Sequence, residues 1–283
     1  MNISDDIIII RELLNITQQE LANYLNVSFE LINRWENNIS IPENKNINLI
    51  YSFAYDKKIY LNKIHEQMLK DEYNKDNHKV LFHGAKSIIK LPLDLDHSKT
   101  SNDFGLGFYL GENLEQASTY IAYSKSNLIY PFVLDTSDLS TIRYDVSLEW
   151  MLAIAYYRGW IDRYKDSKLI KDIRNKVDST DIIIAPIADN KMFTLIDEFV
   201  SGYITDMQAK HALSATNLGN QYVIKNNKGL NKLEGLDMLF LCDREKEDYI
   251  SARLESSKIG QDKVKVARIE YKNIGKYIEE ILK

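Results

Sequence analysis

The residues best suited to chemistry lie between Val80 and Tyr120, in two blocks. In the first, Val80, Leu81 and Phe82 read as a short apolar strand that delivers His83-Gly84 at its exit. The second runs Asn102-Asp103-Phe104-Gly105-Leu106-Gly107-Phe108-Tyr109-Leu110-Gly111, with two glycines bracketing one residue before a Phe-Tyr-Leu strand. Asn113 with Gln116 three residues on is a capping-box start, which predicts a helix from Leu114 to Ala122. Tyr109 at a strand end and Tyr120 on the next helix can then face each other across a slot. A histidine, a backbone bared by glycine and two facing aromatics suit a flat, polar-edged ring as ligand. Plainer roles fit the same residues. His83 suits a satisfied histidine at a strand end, Tyr109 and Tyr120 suit core aromatics in a chain with 18 Tyr, and Gly105 and Gly107 suit a turn.

The order and separation of these blocks resemble the diphtheria-toxin and poly(ADP-ribose) polymerase branch of ADP-ribosyltransferases, and in particular a bacterial family of uncharacterised domains grouped with them. The resemblance implies NAD as the substrate-like cofactor, with His83 and Gly84 on the nicotinamide amide and a ribose hydroxyl. It implies that Tyr109 stacks on nicotinamide, that Tyr120 covers its other face, and that Asp103, Phe104 and Gly107 belong to the same NAD-binding set. Further matches are Asp181-Ile182-Ile183-Ile184-Ala185-Pro186-Ile187-Ala188-Asp189-Asn190 and Gly219-Asn220-Gln221-Tyr222-Val223-Ile224. At the third motif position, where better-known relatives place a Glu that stabilises the oxocarbenium-like ribose, this chain has Gln221. Gln can hydrogen-bond a ribose but brings no charge and cannot act as a base. Losing one such preorganised group costs about 3–4 kcal/mol of transition-state stabilisation. Either the acceptor needs no base, or a carboxylate such as Asp189 or Glu198 assists from elsewhere.

Residues 1 to 70 read as a helical bundle. Ile7, Ile10, Leu13 and Leu14 form one helical face; Thr17 with Glu20 starts a second helix; Ser28 caps a third through Leu31, Ile32 and Trp35; a fourth carries Ile47, Leu49, Ile50 and Phe53. Two short helices joined by a tight turn follow the helix-turn-helix plan. Thr17-Gln18-Gln19-Glu20-Leu21-Ala22, Asn26-Val27-Ser28, Arg34-Trp35-Glu36 and Pro42 resemble the phage-repressor type of that family. The resemblance implies DNA binding through Gln18, Ser28, Phe29, Asn33 and Arg34, with Gln18 a phosphate anchor and Trp35 in the core. It also implies that a homodimer is a natural state. Residues 1–70 hold seven Lys and Arg against nine Asp and Glu, so cationic phosphate contacts are few and a protein-docking role competes with DNA binding.

Composition sets wider limits. The 283 residues, 45% hydrophobic and 27% charged, allow one large or two medium globular domains. The net charge of −5 advertises no broad nucleic-acid surface. The single cysteine, Cys242, excludes an internal disulfide framework, and no run approaches membrane-spanning length, so a soluble cytoplasmic protein is expected. One Cys and no His-x-x-x-His argue against a metal site. Gly105-Leu106-Gly107 lacks the third glycine of a dinucleotide fingerprint, and the basic run from Arg163 to Lys176 is mixed with Asp, as a solvated face would be.

The expected architecture is α+β. A helix-turn-helix domain spans 1–70, a linker 71–78, and an ADP-ribosyltransferase-like domain with a split, twisted sheet 79–283. Strands are expected at Val80–Phe82, Phe108–Leu110, Ile129–Leu134, Asp181–Ala185, Gln221–Ile224 and Met238–Cys242. Helices are expected at Leu114–Ala122, Ser147–Tyr157, Lys168–Lys176, Met192–Ser201 and Thr205–Ala215, with a charged terminal helix from Ile269 to Leu282. The expected function is transfer of ADP-ribose from NAD to a protein or nucleic-acid acceptor, cellular or phage-derived, in a toxin or defence setting. His83, Tyr109 and Gln221 would carry the catalysis without metal. The competing expectation is a non-enzymatic DNA-binding regulator whose second domain senses NAD or ADP-ribose.

Overall fold

A computed structural model describes residues 2–96, 98–214, 218–272 and 274–283. His97 and Ala215, the latter the expected end of a helix, lie outside the described residues.

Five helices come first: α1 (Ile3–Leu14), α2 (Gln18–Leu25), α3 (Phe29–Glu36), α4 (Asn44–Asp56) and α5 (Leu61–Tyr73). The chain continues through β1 (His78–Gly84), β2 (Phe108–Gly111), α6 (Leu114–Ile121), β3 (Leu128–Asp135), β4 (Thr141–Arg143), α7 (Leu148–Tyr157), α8 (Lys168–Asp178) and β5 (Ile182–Pro186). It ends with α9 (Asn190–Val200), α10 (Asp206–Ser214), β6 (Asn220–Ile224), α11 (Asn227–Leu230), β7 (Leu233–Gly235), β8 (Leu239–Phe240), α12 (Asp243–Glu270) and α13 (Ile278–Ile281). Packing divides the chain into two compact units. The first comprises Met1–Ile88, Asn113–Leu134 and Glu234–Arg253; the second comprises Ile89–Glu112, Asp135–Leu233 and Leu254–Lys283.

In the first unit, local chemistry sets the helix ends. Thr17 Oγ1 accepts from Glu20 N at 3.2 Å while Glu20 Oε2 accepts from Thr17 N at 2.7 Å, the reciprocal pair that satisfies two orphan donors of α2. Asn26 closes α2 with a left-handed φ of 53°, and Ser28 Oγ caps α3 through Leu31 N. Ile7, Ile10, Leu21, Ala22, Ile32, Trp35, Ile47 and Ile50 fill the bundle core. Arg11 ties α1 to α3 by pairing with both Glu36 oxygens, at 2.9 and 2.7 Å. The core is completed from far along the chain by Phe240, set edge-on to Tyr51 at 5.6 Å, and by Cys242.

Val80, Leu81 and Phe82 of β1 are all buried, as the continuous apolar run requires. In the same unit β3 pairs β8 antiparallel, Leu128 opposite Phe240 and Ile129 opposite Leu239. Asn62 of α5 donates its amide to Phe240 O at 2.9 Å and to Glu245 Oε2 at 2.7 Å, which fixes the start of α12.

The second unit carries strands in the order β4-β5-β6-β2. The β4–β5 pair is parallel and the other two pairs are antiparallel, so the sheet is mixed. Gln221 stands opposite Gly111 on one side and Ala185 on the other. Because side chains alternate, Gln221, Val223, Tyr109, Ile183 and Ala185 share one face. Against that face lies a core built on α7, which is apolar all round from Trp150 to Ala155 and fully buried, with Phe199 and Leu213 from α9 and α10.

Two expectations are corrected, and two short strands were not expected. The terminal helix is not Ile269–Leu282: α12 reaches Glu270, Gly275 then adopts φ 92°, and only the short α13 follows. The strand expected over Met238–Cys242 is limited to Leu239–Phe240, because Asp243 already opens α12. Strands β4 and β7, three residues each, carry no apolar alternation that periodicity could register.

Glu245 is 5% exposed, and burial pushes its carboxyl from 4.5 up to about 7. Between these pH values the unfolded chain releases this proton and the folded chain keeps it, so stability falls as pH rises from 4.5 to 7 and is flat above. We expect Glu245→Gln, which keeps the acceptor for Asn62, to be more stable than wild type at pH 8 by roughly 3 kcal/mol at most and nearly equal to it at pH 4. Urea unfolding at the two pH values checks this; an equal difference at both contradicts it.

Candidate functional site

The expected site residues divide between the units. His83, Gly84 and Tyr120 belong to the first; Asp103, Phe104, Gly107, Tyr109 and Gln221 belong to the second.

In the first unit His83 is half-buried near the end of β1. Gly84 is fixed by a close approach: a Cβ there would stand 2.4 Å from Ala117 O of α6. Glycine therefore has a packing reason at this position, independent of any ligand. Tyr120, on the same helix, is 59% exposed, with the Lys86 ammonium 5.1 Å from its ring centre.

In the second unit four of the expected residues meet around the bend that precedes β2. Tyr109 donates its hydroxyl to Gly105 O at 2.8 Å and accepts from Phe104 N at 3.1 Å. The hydroxyl's hydrogen bonds thus hold the loop, and burial raises its pKa. Gly105 has φ 71°, a conformation that favours glycine. At Gly107 a Cβ would come within 2.6 Å of Val223. Phe104 is completely buried and stacks on Tyr144 at 5.7 Å, so its ring belongs to the core while its main chain serves the loop. From the far end of β6, Lys225 donates its ammonium to Phe104 O and, at 2.7 Å, to Leu106 O. Burial lowers that ammonium's pKa to about 8.

Asp103, 8% exposed, lies at the centre of this arrangement. Its Oδ1 accepts from Arg158 Nη2 at 2.8 Å and Nε at 3.1 Å; its Oδ2 accepts from Gln221 Nε2 at 3.0 Å. Gln221 Nε2 also reaches Pro186 O at 3.3 Å. Both partners of the amide are acceptors, so only its NH2 end can face them, and this fixes the flip of the side chain. The carbonyl Oε1 makes no hydrogen bond among the described residues. The Arg158 guanidinium lies 3.5 Å from the Phe193 ring centre, clamped from behind.

The carboxylate in contact with Gln221 is therefore Asp103. Asp189 caps α9, accepting from Lys191 N at 3.0 Å and Met192 N at 2.9 Å, and Glu198 pairs with Arg268. Sequence reasoning missed Arg158 and Lys225. Arg158 follows α7 fifty-five residues from its partner, and nothing local marks such a pairing. Among the described residues no cluster of three His, Cys, Asp or Glu side chains is placed to hold a metal, and no helix is long and apolar enough to cross a membrane.

On the helix-turn-helix, Ser28, Phe29 and Arg34 are exposed on or beside α3. Asn33 Nδ2 donates to Gln18 Oε1 at 3.2 Å, joining the start of α2 to the middle of α3. Glu30 lies on the same helix, an anion where phosphate would approach. Within the basic run from Arg163 to Lys176, Lys171 pairs with Asp166 at 3.3 Å and Lys176 with Glu149 at 2.7 Å.

Two family models match the chain. A helix-turn-helix family covers residues 7–50, the type of module that DNA-binding regulators carry. The second family, described as protein of unknown function (DUF3990), covers residues 79–234, which contain every residue of the Asp103 cluster. No curated protein and no solved structure matches. Since the larger match spans more than half of its 283 residues, the chain belongs to the DUF3990 family and carries a helix-turn-helix module ahead of that domain.

Proposed function

We propose that the chain is an NAD-dependent ADP-ribosyltransferase carrying a DNA-binding module. In the reaction the bond between nicotinamide and ribose C1 breaks, and its electron pair neutralises the pyridinium nitrogen. The acceptor's nucleophile forms the new bond to C1 and gives up its proton. One observation carries the reading: the Gln221 amide is held by two acceptors, so Oε1 is presented as an acceptor for a ribose hydroxyl. Tyr109 holds the bend beside Gln221, its hydroxyl pinned by Phe104 and Gly105 and its ring packed against the core of the second unit, and its role toward nicotinamide rests on the resemblance of its motif. His83, Gly84 and Tyr120 enter on the resemblance of their motifs and are tested separately.

Gln221 is not a base, and among the described residues no carboxylate contacts it besides the buried, ion-paired Asp103. The acceptor must therefore bring a nucleophile that ionises or attacks without help, in a protein or a nucleic acid. The same lack of a base favours a second reading, in which the domain only senses NAD or ADP-ribose and the helix-turn-helix acts as the effector.

Nicotinamide release from NAD by the purified full chain, with and without host protein and nucleic acid, separates these readings. We expect release that requires an acceptor and that falls roughly 100-fold or more in His83→Ala and Tyr109→Ala. Binding of NAD without release under any condition contradicts the transferase and supports the sensor. For the N-terminal module, we expect pooled random duplex DNA to bind with a shallow salt dependence. Arg34→Ala should weaken binding to all sequences alike and lower the salt slope by about 1. Fluorescence anisotropy across a salt series measures this, and an unchanged slope removes Arg34 from the interface.

A further inference from the structure

We infer that Asp103, braced by Arg158, acts on the reaction through Gln221 and gives its amide oxygen part of the negative character that a Glu at that position would supply. The inference deepens the transferase reading and rests on it. Gln221 and Arg158 use different oxygens of Asp103, Oδ2 at 3.0 Å and Oδ1 at 2.8 and 3.1 Å. The carboxylate thus stands between amide and guanidinium, with its negative end directly on the amide and the compensating charge beyond it. An amide N–H that donates to an anion is polarised, and its carbonyl oxygen becomes a stronger acceptor. The local dielectric is low, because Asp103 and Gln221 are each 8% exposed, so the effect is poorly screened.

Arg158 keeps this geometry fixed. Its guanidinium is held by the carboxylate on one side and by the Phe193 face, 3.5 Å from the ring centre, on another. The strands leave room for the pair, because Gln221 is flanked only by Gly111 and Ala185. Asp103 is thus a positioning residue; Gln221 is the group that meets the ribose. Arg158 can hold the 103–106 loop whatever the chemistry, so the test must move a quantity that loop anchoring leaves alone.

Moving the charge from one residue to the other does so. Asp103→Asn, Gln221→Glu and the double variant are compared in the full chain for kcat and KM in nicotinamide release, with melting temperature followed in parallel. We expect Asp103→Asn to lower kcat by about 10- to 100-fold, the loss of one charge-assisted hydrogen bond, with KM for NAD within about threefold of wild type. Gln221→Glu alone should not exceed wild type, since two carboxylates then share one buried site. In the double variant the two groups are exchanged, so that the amide at position 103 donates to the carboxylate at position 221, and kcat should recover to within about fivefold of wild type. A folded double variant no faster than Asp103→Asn overturns the inference, as does a wild-type kcat in Asp103→Asn. If Asp103→Asn does not fold, the double variant is judged against Gln221→Ala: near wild-type turnover supports the inference, and turnover as slow as Gln221→Ala overturns it. A wild-type protein that releases no nicotinamide with any acceptor overturns the transferase reading and this inference together. Release by wild type with an unrescued double variant overturns this inference alone.

Discussion

A carboxylate removed from water must be given charge-assisted partners, and the second unit is arranged around one such group, Asp103. Arg158 balances its charge, Gln221 occupies its other oxygen, and Phe193 supports the guanidinium. Asp103 lies in the bend before β2, and its three supports come from different parts of the chain: the end of α7, β6 and α9. The bend is itself tied at further points, through Tyr109 to Phe104 and Gly105 and through Lys225 to Phe104 and Leu106. Removing one partner of such a cluster leaves a charge buried without compensation, which is why its members are expected to act as a unit rather than additively.

Under the proposed transferase reading, this dependence explains how a Gln can serve where an acid would be expected. The amide contributes geometry, because its two donors are committed and its oxygen is the end left to a ligand. The charge lies one residue further back. Among the described residues the carboxylate in contact with the amide is the ion-paired Asp103, so the arrangement suits positioning and bond cleavage more than activation of a reluctant nucleophile. In the first unit a second buried acid, Glu245, is held by Asn62 at the start of α12, where Phe240 and Cys242 complete the helix-turn-helix core. The module's core therefore draws on sequence beyond its own family match at residues 7–50.

Much of the fold was legible in the sequence, for local reasons. Thr17 with Glu20, Ser28, and Asn113 with Gln116 each announce a helix start through a short-range hydrogen bond that the structure contains. The apolar runs at Val80–Phe82 and Ile182–Ile184 become buried strands because nothing else can hide them. What stayed hidden was non-local. The Asp103–Gln221 contact joins residues 118 apart, and Asp103 had no local signal to set it above Asp189 as the partner of Gln221. The extent of α12 was hidden by its dense charge, which blurs any apolar stripe, and the break after it turns on the single left-handed Gly275. Phe104, expected among the ligand-binding residues from its motif, has its ring in the core against Tyr144.

The most direct test of the account asks whether Gln221 Oε1 and a ribose hydroxyl meet. Calorimetry would compare NAD with an analogue deoxygenated on the nicotinamide ribose, each titrated into wild type and Gln221→Ala. The account predicts that the analogue binds wild type about tenfold more weakly, the worth of one hydrogen bond, and that the gap closes in Gln221→Ala. An equal gap in both proteins would mean that Gln221 does not hold the ribose, and the central claim would fail.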